Sequence, residues 1–472
     1  MLLRLLQNIF LEMKMLNPNS KAFFIGVGGS GMSALAHILI DYGAEVWGQD
    51  KAESESLNLL VKRGLKLSRD IKELERYNFD FVVYSSAINK VSNEYYRYFS
   101  SLNTCLVHRS ELMHKIFSLK KSISVAGSHG KTSTTAMIGN ILWEAKLDPT
   151  IMVGGEVNFL GGKGGYFGKG EWGVYESDES DGTFLNYGAE IQVVTNIDND
   201  HLDFYKTEEN LIQSFQNFLE LNPKSKKILC LEDENLIYIA NRLQDKSLIL
   251  GYSSRPLSNI SNLALFSIQE NQMNFTFEGK KYSFQSPFCG SHYLLNSLAA
   301  ILAAYCVGIP VEKSIEVIHN YKGVKRRLEL LGEKNGIKVY DDYGHHPREI
   351  QAVLESLTLL KKNGSRTIII FQPHRYTRTR DHYKEFSQVL LNSNICYLLP
   401  IYSAGESPIS GISSELIYEN MKSHPRVSLL SGNLQKDVLT IAENLLENDL
   451  VITIGAGNVR RWGEELLKVI SK

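Results

Sequence analysis

The stretch AGSHGKTSTT (126–135) joins glycines, a lysine and hydroxyl side chains within one short turn. These are the residue types that hold a nucleotide phosphate. In Gly127-Ser128-His129-Gly130-Lys131-Thr132, backbone N–H groups would cradle the β- and γ-phosphates, Lys131 would neutralise them, and the Thr132 hydroxyl would meet Mg²⁺. The loop is shorter than a Walker A loop, which wants glycine where Val125 stands, yet a strand precedes it and a helix follows. The competing reading is a structural lysine. A second glycine loop, GVGGSG (26–31), also follows a strand and opens a helix. Gly26 allows the tight turn, Gly28 and Gly29 let the backbone approach a diphosphate, and Asp50 ends the next strand where a ribose is read. A tight structural turn is its alternative. Taken together, the first loop is expected to hold one diphosphate and the second ATP.

Acidic groups follow two further strands. Glu176-Ser177-Asp178-Glu179-Ser180-Asp181 comes directly after WGVYE, and Asp198, Asp200, His201 and Asp203 come after IQVVTNI. Mg²⁺ takes hard oxygen ligands beside substrate phosphates, and Glu176 at a strand's carboxyl end can supply one. A solvated turn is the alternative for either stretch alone, and two such stretches beside a phosphate loop weigh against it. YDDYGHHP (340–347) and FQPHRYTRTRD (371–381) again follow strands. Their histidines and arginines suit carboxylate and phosphate groups, against the plainer reading of a basic surface loop. His345 and His346 lack zinc-ligand spacing, so substrate contact is favoured over a metal.

The elements that must position these groups alternate short apolar runs with helical patterns, which predicts an α/β fold. AFFI (22–25), EVWGQD (45–50) and FDFVVYSSA (79–87) read as strands, with a helix from Met32 to about Tyr42 ended by Gly43. That makes a Rossmann-like N-terminal domain over 1–118, in which 1–20 reads as a frayed amphipathic extension or the product of an upstream start. A central P-loop-type ATPase domain is expected over 119–324, from SISVAG (122–127), a helix from Lys131 to about Lys146, strands at 172–176 and 191–197, hairpins over 263–287, and a helix at 291–308. A Rossmann-like C-terminal domain over 325–472 alternates KVYDDY, TIIIFQ, ICYLLPIY and DLVITIG with helices such as PREIQAVLESLTLLKK. With 472 residues, two or three domains are expected.

The composition, 43% apolar and 22% charged, suits a soluble enzyme, and a net charge of −1 gives no support for a nucleic-acid or membrane partner. The opening MLLRLLQNIFLEMKML is interrupted by Arg4, Glu12 and Lys14, too broken for a span or signal peptide. Five scattered cysteines without CxxC spacing point to a reducing compartment, and a cytoplasmic location is expected.

AGSHGKTSTT, ESDESDGTFL, TNIDNDHLD, GVKRRLE, YDDYGHHP, FQPHRYTRTRD and PIYSAGESPI, in this order, resemble the Mur ligases, and GVGGSGMSALA resembles the UDP-binding loop of their alanine-adding type. The resemblance runs from about Lys21 to the chain's end. It implies three domains and ATP- and Mg²⁺-dependent ligation of L-alanine to the lactyl carboxylate of UDP-N-acetylmuramate, forming ADP, in peptidoglycan precursor synthesis. It implies that the first loop, through Gly28, Gly29, Ser30, Gly31, Asp50 and Ser86, holds the UDP-sugar instead of a nicotinamide dinucleotide. ATP would meet Gly127 to Ser133, with Asn296, Arg327 and Asp342, the last two contributed on domain closure. Thr132 with Glu176 would hold one magnesium and His201 a second. Tyr343, His345, His374, Arg375 and Arg378 would surround the muramoyl and alanyl groups, with Lys131, Glu176, His201, His345 and Arg378 as the catalytic set. Either His345 or a nearby carboxylate would take the amine's proton.

Two details bear on the type. IQSFQNFLE (212–220) lacks the lysine that other Mur types carbamylate, as the alanine-adding type does. The family's NxxN pair reads Tyr293-Leu294-Leu295-Asn296, so a tyrosine replaces one adenine-binding amide; its ring is expected to stack on adenine where an amide would bond the base edge, with looser ATP/GTP discrimination. A ligase attaching a recycled tripeptide is the near alternative, disfavoured by Tyr343. A nicotinamide-dependent oxidoreductase is the remote one, leaving AGSHGKT unexplained. Monomer and homodimer both remain open.

Overall fold

The computed structural model describes residues 17–51, 54–199, 202–362, 364–423 and 425–470. The expected extension falls mostly on residues 1–16, outside that set. The chain divides into two compact units, one of 1–287 with 294–324, the other of 288–293 with 325–472.

In the first unit, β1 (Lys21–Ile25), β2 (Glu45–Gln49), β3 (Lys66–Leu67), β4 (Phe81–Tyr84) and β5 (Leu106–His108) form a parallel sheet in the order β3-β2-β1-β4-β5. AFFI is wholly buried because helices cover parallel strands on both faces. Helix α1 (Ser30–Tyr42) buries Met32, Leu35, Ala36, Ile38 and Leu39 on the expected stripe, and Gly43 closes it at φ 102°. α2 (Arg109–Phe117) ends this segment. Its core is continuous with the next one, since Met152 and Tyr175 belong to the cluster that contains Phe24, Leu35 and Val83.

The same unit carries a mixed sheet ordered β15-β14-β13-β12-β11-β10-β6-β9-β7-β8. Its strands are β6 (Lys121–Ala126), β7 (Thr150–Val157), β8 (Lys163–Tyr166), β9 (Trp172–Glu176), β10 (Ile191–Val194), β11 (Lys226–Cys230), β12 (Ile249–Ser253), β13 (Asn262–Gln269), β14 (Gln272–Phe277) and β15 (Lys280–Gln285). β6 lies between β10 and β9, so the loops after all three emerge at one sheet edge. Helix α3 (Lys131–Glu144) starts from the phosphate loop, and β13–β15 pair antiparallel, as the alternation over 263–287 predicts. Helix α4 spans Ser291–Val307.

In the second unit the order is β16-β17-β21-β18-β19-β20, from β16 (Glu329–Lys334), β17 (Ile337–Asp342), β18 (Thr367–Phe371), β19 (Ile395–Leu398), β20 (Val427–Leu429) and β21 (Leu450–Ile454). Only the edge strand β16 runs antiparallel. α5 (Pro347–Leu360) and α6 (Tyr376–Leu390) follow β17 and β18, and α7 (Arg460–Ile470) follows β21. Ile368, Ile370, Val451 and Trp462 share this unit's core.

Three strands end short of expectation. IQVVTNI leaves the ladder at Val194, FDFVVYSSA at Tyr84 and ICYLLPIY at Leu398. At the first, residues 195–198 turn away to bond the phosphate loop, as described next.

Candidate functional site

The phosphate loop is built by strand exits on both sides of β6. Gly127 has φ 132°, and a Cβ there would stand 2.1 Å from Thr195 Oγ1; Gly130 has φ 83°, and its Cβ would meet Asn296 Oδ1 at 2.6 Å. Neither position admits a side chain, which explains both glycines. Ser128 N–H donates to the Asn196 carbonyl at 3.0 Å and His129 N–H to Asn196 Oδ1 at 2.9 Å. Those two groups are therefore engaged by the protein itself. Donors that remain for an anion include the first-turn N–H groups of α3, which have no intrahelical acceptor. Ser128 Oγ accepts from Asp198 N–H at 2.8 Å, and His129 Nε2 lies 3.0 Å from Asp198 Oδ2. Ser133, in the first turn of the helix, is buried.

Lys131 Nζ donates to the Gly127 carbonyl at 2.6 Å and to Glu179 Oε1 at 2.8 Å. Burial pushes its pKa down, but the carboxylates of Glu179, Asp178 and Glu176 outweigh that and raise it. Lys131 is thus firmly cationic. Burial acts on Asp178 upward, and Lys131 with Arg109 overrides it, bringing the carboxyl to about 2. Thr132 Oγ1 stands 3.0 Å from both oxygens of Glu176, and Gly154 N–H donates to Glu176 Oε2 at 2.8 Å. Two hard oxygen donors converging beside a phosphate loop fit a magnesium ion. Asp200 and His201 lie outside the described residues.

At the first glycine loop, Asp50 Oδ2 accepts the Gly28 N–H at 2.8 Å. That amide is spent within the loop, and Asp50 braces the turn from below. Gly29 and Ser30 are exposed, and Gly31 lies against Arg109, whose Nη1 would stand 3.2 Å from an added Cβ. Arg109 pairs with Asp178 at 3.2 Å and Asp181 at 3.3 Å, and Ser86 Oγ donates to Asp181 Oδ2 at 2.6 Å. The acidic stretch thus faces both loops of this unit.

The second unit gathers its own set. Asp342, 3% exposed, accepts from Leu328 and Gly344 N–H, each at 2.7 Å. Burial raises its carboxyl to about 6. The Arg327 guanidinium lies 5.5 Å from the Tyr343 ring and 3.9 Å from Glu349 Oε1. Tyr343 meets His345 edge-on at 5.5 Å, and His345 lies 5.8 Å from His374. Burial brings His345 to about 4, the Glu349 carboxylate opposing it; burial, then His345 and Arg378, bring His374 to about 3. Both rings are neutral at pH 7. His345 Nδ1 is 3.1 Å from the Tyr343 carbonyl, which can only accept, so Nδ1 carries the proton and Nε2 is the basic nitrogen. Arg378 Nη1 lies 3.3 Å from His374 Nδ1. Arg375, exposed at the start of α6, holds φ 69°, a left-handed conformation costly for a side chain of this size.

Tyr343, His345, His374 and Arg378 are therefore neighbours, as are Lys131, Thr132 and Glu176. Asn296 stands beside Gly130. Tyr293 is 5% exposed, its ring stacked on Phe288 at 5.2 Å, a packing role in place of the expected platform for adenine. Sequence reasoning passed over Arg109 and Glu349, which no local motif marks. It also passed over the Gly455-Ala456-Gly457-Asn458 loop between β21 and α7, where a strand–glycine–helix signature was available.

Comparison with known proteins adds the wider frame. Family models match in order: Mur ligase family, catalytic domain, over residues 21–121; Mur ligase middle domain over 169–304; and Mur ligase, glutamate ligase domain, over 326–457. The UDP-N-acetylmuramate–L-alanine ligase of Dictyoglomus turgidum is 40% identical over 96% of this chain and 97% of its own length. The protein of that name from Bdellovibrio bacteriovorus is 37% identical over 95% and 98%. The crystal structure of UDP-N-acetylmuramate–alanine ligase from Thermotoga maritima superposes with a TM-score of 0.78 at 22% identity, covering 95% of this chain and 98% of that one, a likeness of fold. With three α/β segments matched in order and relatives similar along their whole length, this chain belongs to the Mur ligase family.

Proposed function

We propose that this chain joins L-alanine to the lactyl carboxylate of UDP-N-acetylmuramate, with ATP cleaved to ADP and phosphate. The observation that carries the reading is the full-length similarity to ligases of that name, at 40% and 37% identity. It disfavours the tripeptide-adding and oxidoreductase alternatives. The γ-phosphoryl group passes to a carboxylate oxygen of the sugar's lactyl arm, giving an acyl phosphate. The alanine amine then attacks the carbonyl carbon, phosphate leaves from the tetrahedral intermediate, and the nitrogen gives up a proton.

Phosphoryl transfer asks for positioning and charge neutralisation. Lys131, held in its charged form, supplies the cation, and the first turn of α3 supplies N–H donors. Thr132 and Glu176 would hold a magnesium ion, which when bound neutralises phosphate charge. Gly28 to Gly31, Asp50 and Ser86 form the UDP-sugar end of the site, and Asn296 the adenine side. In the C-terminal unit Arg327 and Asp342 serve the nucleotide, and Arg375 and Arg378 pair with carboxylate or phosphate. The amine's proton goes to His345 Nε2 or to a nearby carboxylate. We assign the domains as 1–118, 119–324 and 325–472, and place the reaction in the cytoplasm. Among the described residues no helix is long and apolar enough to cross a membrane.

Phosphate release from ATP tests the reading. It should require UDP-N-acetylmuramate and L-alanine together; release with neither, or reduction of a nicotinamide cofactor, would overturn it.

A further inference from the structure

Gln372, directly after β18, is 5% exposed. Its Nε2 donates to Asn458 Oδ1 at 2.9 Å, while its Oε1 meets no hydrogen-bond donor among the described residues. A buried amide oxygen without a donor is costly, and the fold holds this one firmly in place. Gln372 N–H donates to the Ile454 carbonyl at 3.0 Å, and the Gly455 backbone, at φ 147°, packs on the Gln372 carbonyl. Gly457 lies beneath the amide. A Cβ there would stand 2.3 Å from Gln372 Oε1 and 2.7 Å from Tyr402 Cγ. The missing side chain lets the amide oxygen and the Tyr402 side chain share one patch of backbone at the start of α7.

Tyr402 links this oxygen to the groups described above. Its ring stacks on His374 at 5.7 Å and 10°, and His374 Nδ1 is 3.3 Å from Arg378 Nη1. Tyr402 is itself 39% exposed, so the row reaches the surface at its ring. The row thus holds a neutral acceptor at one end and a guanidinium at the other. An acceptor takes N–H or O–H, and a guanidinium takes a carboxylate. An α-amino acid carries both groups on one carbon.

We propose that Gln372 Oε1 holds the α-amino group of the incoming amino acid, with Arg378 on its carboxylate. The inference deepens the ligase reading and rests on it. A neutral amide suits an attacking amine because it accepts an N–H without favouring the ammonium form. The nitrogen therefore keeps the lone pair that attacks the acyl phosphate. Gln372 is a substrate-positioning residue for the second half of the reaction and has no part in the first.

The two halves can be measured apart in the full chain. Hydroxylamine traps the acyl phosphate formed from ATP and UDP-N-acetylmuramate without amino acid, and steady-state rates give the KM for L-alanine. Gln372→Met, which keeps length but removes the acceptor, should trap acyl phosphate at the parent rate and raise the KM for L-alanine by about tenfold or more. Gln372→Glu restores an oxygen, so the alanine KM should return toward the parent value. Its carboxylate favours the ammonium form, so the pH–rate profile should move to higher pH. An unchanged alanine KM in Gln372→Met overturns the proposal and leaves the ligase reading standing. So does a parallel loss of trapping and alanine use, which would make Gln372 structural. If the parent chain yields no trapped acyl phosphate, the ligase reading fails and the inference falls with it.

Discussion

Lys131 carries its charge among three carboxylates, and the one it pairs with, Glu179, is 0% exposed. Removing one member of such a pair strands the other, at a cost of about 3–5 kcal/mol. Lys131→Ala is therefore expected to lose ligation by about 10³-fold, as when a single electrostatic stabiliser is removed, and also to lower the melting temperature. Adding Glu179→Gln should recover much of the stability and none of the activity. Near-parent turnover in the folded single variant would contradict the phosphate-loop assignment. A pH effect follows from His345 and His374, whose folded pKa values, about 4 and about 3, lie below the unfolded 6.5. Each is neutral in the fold, so its contribution is fully present above pH 6.5 and is lost as pH falls toward 4 and 3. Asp342, raised to about 6, acts the other way, favouring the fold as pH falls. Melting temperature followed from pH 7 to pH 4 should drop, and less steeply in His374→Phe. An equal slope in both proteins would show that His374 charges freely in the folded chain. The lysine, the histidines and the arginine row were legible in the sequence because each sits at a strand's end. Their counter-charges, Glu179 for Lys131 and Glu349 for His345, depend on which loops meet, and that is set by strand order.

At the scale of elements, loops and helices with their own punctuation were the most readable. AGSHGKT gave strand, loop and helix correctly because glycine, lysine and an apolar strand each act locally. The end of IQVVTNI was misread since β-propensity continues through Thr195 and Ile197, while hydrogen bonds from Ser128 and His129 to Asn196 pull the chain out of the ladder. Gly130→Ala would drive a methyl group into Asn296 at a backbone angle that disfavours any side chain. It is expected to raise the KM for ATP by about tenfold or more, measured by ATP titration at saturating sugar and alanine; an unchanged KM would remove the loop from the nucleotide. Tyr293 shows the limit of motif comparison. The departure from NxxN suggested a stacking platform, but the ring is packed on Phe288. Tyr293→Asn should therefore cost about 3 kcal/mol of stability and leave the ATP/GTP rate ratio unchanged, by melting and by paired kinetics.

For the whole molecule, the α/β class and the three sheets follow from buried strand runs separated by helical patterns, which is why they were readable from one sequence. The shared core that joins the first two segments was not, because Met152 and Tyr175 carry no mark of the neighbour they pack against. The amino-acid site we propose likewise depends on loops after β17, β18 and β21 that are far apart in sequence. The central claim is that this assembly adds one alanine to a UDP-sugar, and the mass of the product tests it most directly. With UDP-N-acetylmuramate, ATP, magnesium and a mixture of L-alanine, glycine and the L-Ala-γ-D-Glu-diamino acid tripeptide, the alanyl product should dominate. It should exceed the glycyl one by about 10- to 200-fold, the discrimination a pocket closed around one methyl group gives, with no tripeptide adduct. A tripeptide adduct as the main product would contradict the account.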